Sequence, residues 1–342
     1  MPNTPSNIAQ WHNPKPADIG EDFHEFIHIL NEPTWITIPG VDKTRSRAIV
    51  TLLHGNEPSG LKAVHQLIKS ELVPATNLGI FVASVNAALF PPMLSHRHLP
   101  HEKDLNRCFN PPFLTDQEKL AQNFLTLLEG FSPEAVVDTH NTSGHSEPFA
   151  VATRSDAYTR HICNIFTDKL VIIDQALGTL IEQRRGNTPI VTIEFGGFMD
   201  PKADALACES IKLFATMSNL FPSDITREIK VLNHPLRLEL EPGHKLHYSS
   251  TVQETADITI YNTIDQLNFS HIEAGTSIGW LGNNGLSALR ILTATGENLT
   301  DTYFIENEGF IETRKAITLF MATTDASIAM EDCLMYLTAD PN

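Results

Sequence analysis

Basic residues are scarce in this sequence. Its 342 residues include 24 lysines and arginines against 41 aspartates and glutamates, so the formal net charge is −17. Nucleic-acid binding requires a basic surface that neutralises phosphates, and this composition therefore argues against a nucleic-acid partner. A small anionic ligand is still compatible with the acidity, because a few arginines inside one pocket outweigh distant charges at short range.

Long hydrophobic runs are also missing. No segment approaches the roughly 18 consecutive apolar residues of a membrane-spanning helix, so we expect no membrane partner. The first thirty residues carry scattered prolines and acids instead of the basic start and apolar run of a secretory signal. These two features predict a cytoplasmic location.

Cysteine is rare and widely spaced. The four cysteines form no C-x-x-C pair, and they are Cys108, Cys163, Cys208 and Cys333. A zinc knuckle and a disulfide framework both require closer or paired cysteines, so neither is predicted. Reduced thiols fit this pattern best.

Strand-like and helix-like segments alternate in the first two thirds of the chain. Short apolar runs predict strands at 48–53, 79–85, 135–140 and 189–197, and helical periodicity predicts helices at 59–72, 116–128 and 204–220. This alternation predicts an α/β domain with a parallel or mixed sheet, whose ligands gather at the carboxyl ends of the strands. After residue 225 short strand-like runs broken by glycine and proline predict a β-rich domain. We therefore divide the chain into domains at 1–225 and 226–342.

Two histidines and a glutamate stand at the ends of predicted strands. His54 and Glu57 follow the 48–53 strand, and His140 ends the 135–140 strand. The H-x-x-E pattern alone is weak evidence for a metal site, because it also occurs in solvated loops. With His140 added, the set matches the two imidazoles and one carboxylate of an open catalytic zinc site, in which water takes the remaining position.

Glu194 lies in an apolar predicted strand, shortly before Gly196 and Gly197. Burying a carboxylate is unfavourable unless it is paired or protonated, so the residue is functional, caps the end of the strand or pairs with an arginine. Beside a metal site, such a carboxylate can take a proton from water and pass it to a leaving amine.

Several short motifs occur in a fixed order between residues 54 and 196. They are His54-Gly55-Asn56-Glu57, Arg97, Asp104-Leu105-Asn106-Arg107, Asp138-Thr139-His140-Asn141 and Thr192-Ile193-Glu194-Phe195-Gly196. In this order they resemble the motifs of the succinylglutamate desuccinylase and aspartoacylase family, relatives of the zinc carboxypeptidases. The segment after residue 225 resembles the family's C-terminal domain. The resemblance implies a zinc-carboxypeptidase-like mixed sheet flanked by helices, with a smaller C-terminal all-β domain.

The resemblance also implies a metal centre. His54, Glu57 and His140 would bind one zinc ion per chain, and Glu194 would act as general base and then general acid. Asp104 would orient His54, since a ligating histidine usually donates its second ring N–H to a carboxylate or carbonyl.

Arginines and an asparagine would bind the substrate in this family. Asn106 and Arg107 would hold a substrate carboxylate, which the guanidinium fork matches in shape. Arg97 would stabilise the oxyanion of the tetrahedral intermediate. Arg184 is similar to a family arginine that contacts the acidic side chain of the substrate, and its neighbour Arg185 competes for that role.

One segment departs from the family pattern. Aspartoacylases place a tyrosine from the C-terminal domain over the substrate, whereas the similar stretch here carries Phe310 and Ile311. The difference argues against N-acetylaspartate and favours a less charged acyl group or amino acid.

These observations predict hydrolysis of the amide bond of a small N-acyl amino acid. By analogy with the family, the C-terminal domain would narrow the entrance and exclude peptides. Two alternatives stay open: a zinc carboxypeptidase acting on small peptides, and a non-catalytic member that binds a carboxylated ligand. The sequence also leaves a homo-oligomer open.

Overall fold

The computed structural model describes residues 8–174, 176–222, 227–293, 295–331 and 333–339. The α-helices in these residues are α1 (Phe23–Leu30), α2 (Ser59–Lys69), α3 (Val85–Leu89), α4 (Asp116–Phe131), α5 (Ala157–Phe166), α6 (Pro201–Thr216), α7 (Thr300–Tyr303) and α8 (Ala326–Glu331). The strands are β1 (Ala9–His12), β2 (Thr34–Ile38), β3 (Asp42–Thr51), β4 (Thr76–Val82), β5 (Val136–Thr142), β6 (Phe149–Ala152), β7 (Lys169–Ile172), β8 (Ile190–Gly197), β9 (Lys230–Asn233), β10 (Leu236–Leu240), β11 (Leu246–Ser249), β12 (Ile258–Tyr261), β13 (His271–Ile272), β14 (Ser277–Leu281), β15 (Leu289–Arg290), β16 (Phe304–Asn307), β17 (Phe310–Thr313), β18 (Ile317–Phe320) and β19 (Met335–Ala339).

Within these residues β1 to β9 form one mixed sheet in the order β1-β2-β4-β3-β5-β8-β6-β7-β9. Strand β3 is parallel to both β4 and β5, whereas β2 runs antiparallel to β4 and β6 antiparallel to β8. The centre of this order is β3-β5-β8, which is where the predicted metal and base residues lie.

Helices flank both faces of the sheet, because successive side chains of a strand point to opposite faces. In β4, Ile80 and Val82 join the main core cluster, to which helices α1, α2, α5 and α6 contribute. The intervening Phe81 instead stacks on Phe124 of α4, with ring centroids 4.3 Å apart. The buried, alternating apolar residues of β4 thus place a helical layer on each side.

Helix α2 lies very close to the sheet at its first turn. A Cβ atom added to Gly60 would clash with the hydroxyls of Thr51 on β3 and Thr139 on β5. Only glycine allows this approach, so the loop between β3 and α2 is held directly over the end of β5.

The chain divides into two compact units, one formed by Met1–Asn141 with Pro148–Val231 and the other by Thr142–Glu147 with Leu232–Asn342. Within its described residues the second unit contains two five-stranded sheets, β13-β18-β19-β10-β15 and β11-β12-β14-β17-β16. It is largely β-structure around its own buried apolar cluster, with α7 and α8 as short additions. The predicted domain boundary near residue 225 falls outside the described residues.

Among the described residues, no helix has both the length and the apolarity needed to cross a membrane.

Candidate active site

His54, Glu57 and His140 converge in the structure. Glu57 lies with Oε1 2.8 Å from Nδ1 of His54 and with Oε2 2.7 Å from Nδ1 of His140. The two Nδ1 atoms are 3.1 Å apart. All three side chains are buried, and one ligand atom from each lies within 4.8 Å of the others.

The local chain explains why these three meet. His54 and Glu57 belong to the loop between β3 and α2, and His140 is on β5, which pairs in parallel with β3. Parallel neighbours bring their carboxyl ends to the same sheet edge, where ligands of α/β folds gather. Glu57 also accepts a hydrogen bond from the backbone N–H of Asn141 at 3.3 Å, which ties the loop to the end of β5.

Each histidine has a carboxylate on its far side. Nε2 of His54 is 3.3 Å from Oδ1 of Asp104, as the resemblance implied. Nε2 of His140 is 2.9 Å from Oδ2 of Asp138, a residue to which the sequence analysis assigned no role. The signal for Asp138 is present in the sequence, because residues i and i+2 of a strand share a face and Asp138 stands two before His140.

Asp138 is completely buried, and its Oδ2 also accepts a hydrogen bond from the Thr192 hydroxyl at 3.0 Å. Burial opposes protonation of His140, but the carboxylates of Asp138 and Glu57 outweigh it and raise the pKa of His140 well above its ordinary value. For Glu57, burial acts to raise the pKa, and the two imidazoles reverse this so that its pKa lies below the usual range.

Asp104 links His54 to Arg97. Nε and Nη2 of Arg97 both donate to Oδ2 of Asp104 at 3.0 Å, and Nη1 lies 3.7 Å from Oε1 of Glu57. Burial works to raise the pKa of Asp104, but His54, Arg97 and Arg107 together hold it well below its ordinary range. The structure therefore places Arg97, the residue predicted to stabilise the oxyanion, beside the cluster of His54, Glu57 and His140.

Glu194 is buried on β8, the strand next to β5 in the sheet. Its Oε2 accepts no hydrogen bond from the residues that the structure describes. Burial raises the pKa of Glu194 to about 7, the Glu57 carboxylate adds to this, and His140 opposes it. A carboxyl group in such surroundings exchanges a proton near neutral pH, which suits a general base that later becomes an acid.

Asn106 and Arg107 lie in a short 3₁₀ helix, Leu105–Arg107, whose N-cap is Asp104. Oδ1 of Asn106 accepts the backbone N–H of Leu180 at 3.1 Å, and Nη1 of Arg107 donates to the Asn106 carbonyl at 2.9 Å. Asp104 thus places both predicted carboxylate-binding residues in the segment that contacts His54.

Arg184 and Arg185 have different surroundings. The Arg184 side chain is buried, with Nη2 2.7 Å from Asp156 and Nη1 2.7 Å from the hydroxyl of Thr159. Arg185 is largely exposed and pairs with Glu129 at 3.3 Å. Arg184 thus has a buried ion pair within the protein, and the described hydrogen bonds and ion pairs of the two guanidinium groups go to residues other than His54, Glu57 and His140.

The donor set fits a zinc ion. Zinc prefers imidazole nitrogen and carboxylate oxygen at about 2.0–2.2 Å in a tetrahedron, so its ligands lie roughly 3.3 Å from one another. The 3.1 Å between the two Nδ1 atoms is close to that spacing. Two imidazole lone pairs this close repel unless a cation or a proton lies between them, and both far-side carboxylates orient Nδ1 toward the centre.

The sequence matches the model of the succinylglutamate desuccinylase/aspartoacylase catalytic domain over residues 43–216, about half of the chain. The chain belongs to this family. The match contains all of the residues just described around His54 and His140. It confirms the family predicted from the ordered motifs. The enzymes after which the family is named, succinylglutamate desuccinylase and aspartoacylase, are hydrolases.

Solved structures share the fold of this family member. The succinylglutamate desuccinylase from Vibrio cholerae has 14% sequence identity and a TM-score of 0.58, and the comparison covers 94% of this chain and 96% of that one. The succinylglutamate desuccinylase/aspartoacylase from Rhodobacter sphaeroides has 14% sequence identity and a TM-score of 0.56, with 90% of this chain and 88% of that one covered. Murine aminoacylase 3 has 15% sequence identity and a TM-score of 0.52, with 87% of this chain and 96% of that one covered.

At these identities the likeness concerns the fold alone. It confirms the predicted fold class, a large mixed sheet flanked by helices with further β-sheets toward the C-terminus. No curated protein sequence matches the chain significantly.

Proposed function

We propose that this family member is a zinc-dependent amidohydrolase that removes the acyl group from a small N-acyl amino acid. The observation that carries the proposal is the buried cluster of His54, Glu57 and His140, whose ligand atoms lie within 4.8 Å of one another. Desuccinylases and aspartoacylases cleave amide bonds between an acyl group and an amino acid, and family membership supports the same class of reaction here.

His54, Glu57 and His140 would hold one zinc ion per chain. When bound, zinc supplies Lewis-acid chemistry: it polarises the amide carbonyl and makes water acidic enough to attack near neutral pH. Asp138 accepts the far-side N–H of His140, and Oδ1 of Asp104 lies 3.3 Å from Nε2 of His54, so a carboxylate on each far side favours the tautomer in which the other ring nitrogen faces the metal.

Glu194 moves the proton. Its buried carboxylate takes a proton from the attacking water, and the protonated acid then donates this proton to the nitrogen of the leaving amine. The burial of Glu194 on the strand next to β5 and its pKa of about 7 support this assignment, because such a carboxyl group can take up and release a proton near neutral pH.

Arg97 stabilises the oxyanion that develops on the former carbonyl oxygen. Its bond to Asp104 fixes two of the guanidinium nitrogens, and Nη1 is directed toward the Glu57 side of the cluster. A cation fixed before the reaction stabilises developing charge without reorganising during it.

Asn106 and Arg107 bind the carboxylate of the amino acid. Arg107 presents a planar fork that matches two carboxylate oxygens, and the 3₁₀ helix that carries it starts at Asp104, which also contacts His54. Both guanidinium groups already pair with a carboxylate, Arg184 with Asp156 and the exposed Arg185 with Glu129, so contact of either with an acidic substrate side chain would compete with an existing ion pair.

The substrate is expected to carry less charge than N-acetylaspartate, because Phe310 and Ile311 stand where aspartoacylases have a tyrosine. Phe310 begins β17 and lies near Trp280, with ring centroids 6.0 Å apart. A zinc carboxypeptidase of small peptides and a non-catalytic carboxylate-binding protein are the alternatives. The cytoplasmic location and the oligomeric state stay predictions.

The test combines metal analysis with an amine-release assay. Protein purified without chelators is analysed for metal and then assayed against a panel of N-acyl amino acids, with short peptides as the comparison. About one zinc per chain and release of amine from panel members would support the deacylase. Preference for the peptides would favour the carboxypeptidase, and ligand affinity without turnover in the zinc-loaded protein would favour the binding protein.

A further inference from the structure

Helix α2 begins two residues after Glu57 and does not cap its own N-terminus. Pro58 occupies the N-cap position and provides no side-chain hydrogen bond. The first N–H groups of a helix need an acceptor from elsewhere when the N-cap has none. Here the acceptor comes from another element, since the Ser59 N–H donates to Oδ1 of Asn141 on β5 at 3.1 Å.

The amide of Asn141 makes two further bonds from its nitrogen. Nδ2 donates to the hydroxyl oxygen of Ser59 at 2.9 Å and to the backbone carbonyl of Gly196 at 3.0 Å. Gly196 follows Glu194 by two residues on β8 and has a φ of +111°, a conformation that side-chain-bearing residues rarely adopt. One buried amide therefore connects the loop of Glu57, the strand of His140 and the end of the strand of Glu194.

A polar chain behind Ser59 fixes the direction of these bonds. The Ser59 hydroxyl donates its single proton to Oδ1 of Asp204 at 2.7 Å, and Oδ2 of Asp204 pairs with Nζ of Lys62 at 2.7 Å. The serine oxygen can then only accept, so Asn141 must present its NH₂ group there and its carbonyl to the Ser59 N–H. The orientation of the amide is thereby determined by Asp204 and Lys62.

We propose that Asn141 is a positioning residue that sets the distance between Glu57 and Glu194. Ser59, Asp204 and Lys62 are its support. The inference rests on the proposed function, in which Glu57 binds the metal and Glu194 transfers the proton. Proton transfer depends steeply on geometry, and a displacement of about 1 Å can reduce a rate about 100-fold. Three segments from different parts of the chain keep their relative positions here through one side chain.

The first experiment compares Asn141→Ala with Asn77→Ala. Asn77 also bridges two backbone groups, Gly40 N–H and the Lys43 carbonyl, but it lies at the start of β4, away from the carboxyl end of the sheet. Asn141→Ala should lower kcat about 10- to 100-fold with KM nearly unchanged, and should weaken zinc binding about tenfold in a chelator competition. Asn77→Ala should change neither, although both variants lose two or more hydrogen bonds.

The outcomes separate the inference from the proposed function. If Asn141→Ala matches Asn77→Ala in either kcat or zinc affinity, the positioning role is overturned. If the wild-type protein releases no amine from any panel member, the proposed function fails, and zinc affinity alone then decides on Asn141. Unchanged zinc affinity in that case overturns the inference as well.

A double variant distinguishes positioning from general destabilisation. Ser59→Ala removes the shared hydroxyl, and its control Ser70→Ala removes a hydroxyl from the other end of α2, where it donates to the Leu67 carbonyl. If Asn141 and Ser59 act as one unit, the double variant should lose at most about twofold in kcat beyond Asn141→Ala. If the decrease in kcat of the double variant equals the product of the decreases in the two single variants, Asn141 and Ser59 act independently and the shared role is contradicted.

Discussion

Glu194 is the residue whose replacement separates proton transfer from metal binding. Glu194→Gln keeps the shape of the side chain but cannot accept the proton from water, so kcat should fall by about 10²- to 10⁴-fold. Zinc content should be unchanged, because the ligand cluster consists of other residues. Parallel amine-release and metal analyses test this, and loss of zinc from the variant would reassign Glu194 as a ligand.

The two far-side carboxylates should control metal affinity. Asp104→Asn and Asp138→Asn each replace the carboxylate that lies on the far side of a histidine, and each should weaken zinc binding about 10- to 100-fold. Asp116→Asn, which changes an exposed carboxylate at the start of α4, is the matched control and should bind zinc like the wild type. Equal affinities in all three variants would rule out an orienting role for Asp104 and Asp138.

The sequence predicted the three residues of the candidate metal site but only part of their surroundings. The spacing of His54 and Glu57 and the strand-end position of His140 were sufficient to predict that these residues meet. Asp138 was missed although its alternation with His140 was visible. The pairing of Arg184 with Asp156 could not be predicted, because the two residues are 28 positions apart with α5, β7 and a 3₁₀ helix (Leu180–Gln183) between them, and no periodicity connects such positions.

At the scale of elements, the start of α4 offers a clear test. Thr115 and Glu118 form a capping box, in which each side chain accepts the backbone N–H of the other. Thr115→Ala should lower the free energy of unfolding by about 1 kcal/mol. Thr126→Ala removes a hydroxyl from the middle of the same helix and should lower the free energy of unfolding by less. Urea titration of both variants measures the two values. An equal loss in both would contradict the capping role.

The same capping box makes part of the stability depend on pH. Hydrogen bonds from the backbone N–H of Thr115, the ammonium of Lys103 and the N–H of Leu114 lower the pKa of Glu118 to about 2, against an ordinary value of 4.5. Its folded pKa is depressed, so its stabilising contribution is complete above about pH 4.5 and is lost as the pH falls toward 2. In Glu118→Gln, the free energy of unfolding measured by urea titration should therefore fall less between pH 7 and pH 3 than it does in the wild type. If the free energy of unfolding falls as much in this variant as in the wild type, other groups cause the acid sensitivity.

Predicted elements agree with the structure best where burial sets the pattern. The strand predicted at 189–197 spans Ile190–Gly197, and the helix predicted at 59–72 spans Ser59–Lys69. Strand β3 starts at Asp42, six residues before the predicted start, because its first residues are polar and only its later ones are buried. Helix α6 starts at Pro201 after the N-cap Asp200, a signal more local than the apolar spacing used to predict its start at residue 204.

For the whole molecule, the alternation of strands and helices predicted the layered α/β part, and the change in pattern predicted a β-rich C-terminal part. The strand order β1-β2-β4-β3-β5-β8-β6-β7-β9 was not predictable in the same way. Strand order depends on contacts between distant segments, and local periodicity contains no information on which strands become neighbours. The resemblance to the family instead placed His54, His140 and Glu194 in one site, which implied that the ends of β3, β5 and β8 lie close together.

Zinc should stabilise the compact unit that contains His54, Glu57 and His140. A ligand that binds only the native state adds about 2.7 kcal/mol at a hundredfold excess over its Kd. For a unit of about 200 residues, 1 kcal/mol corresponds to about 2–4 °C, so zinc should raise the Tm of chelator-treated protein by about 5–10 °C. Magnesium should have no such effect, because it prefers oxygen ligands. His54→Ala should lose the zinc-induced shift while keeping the wild-type Tm in chelator to within a few degrees. If this variant shows the full shift, zinc binds at a different site, and the cluster of His54, Glu57 and His140 is not the metal centre.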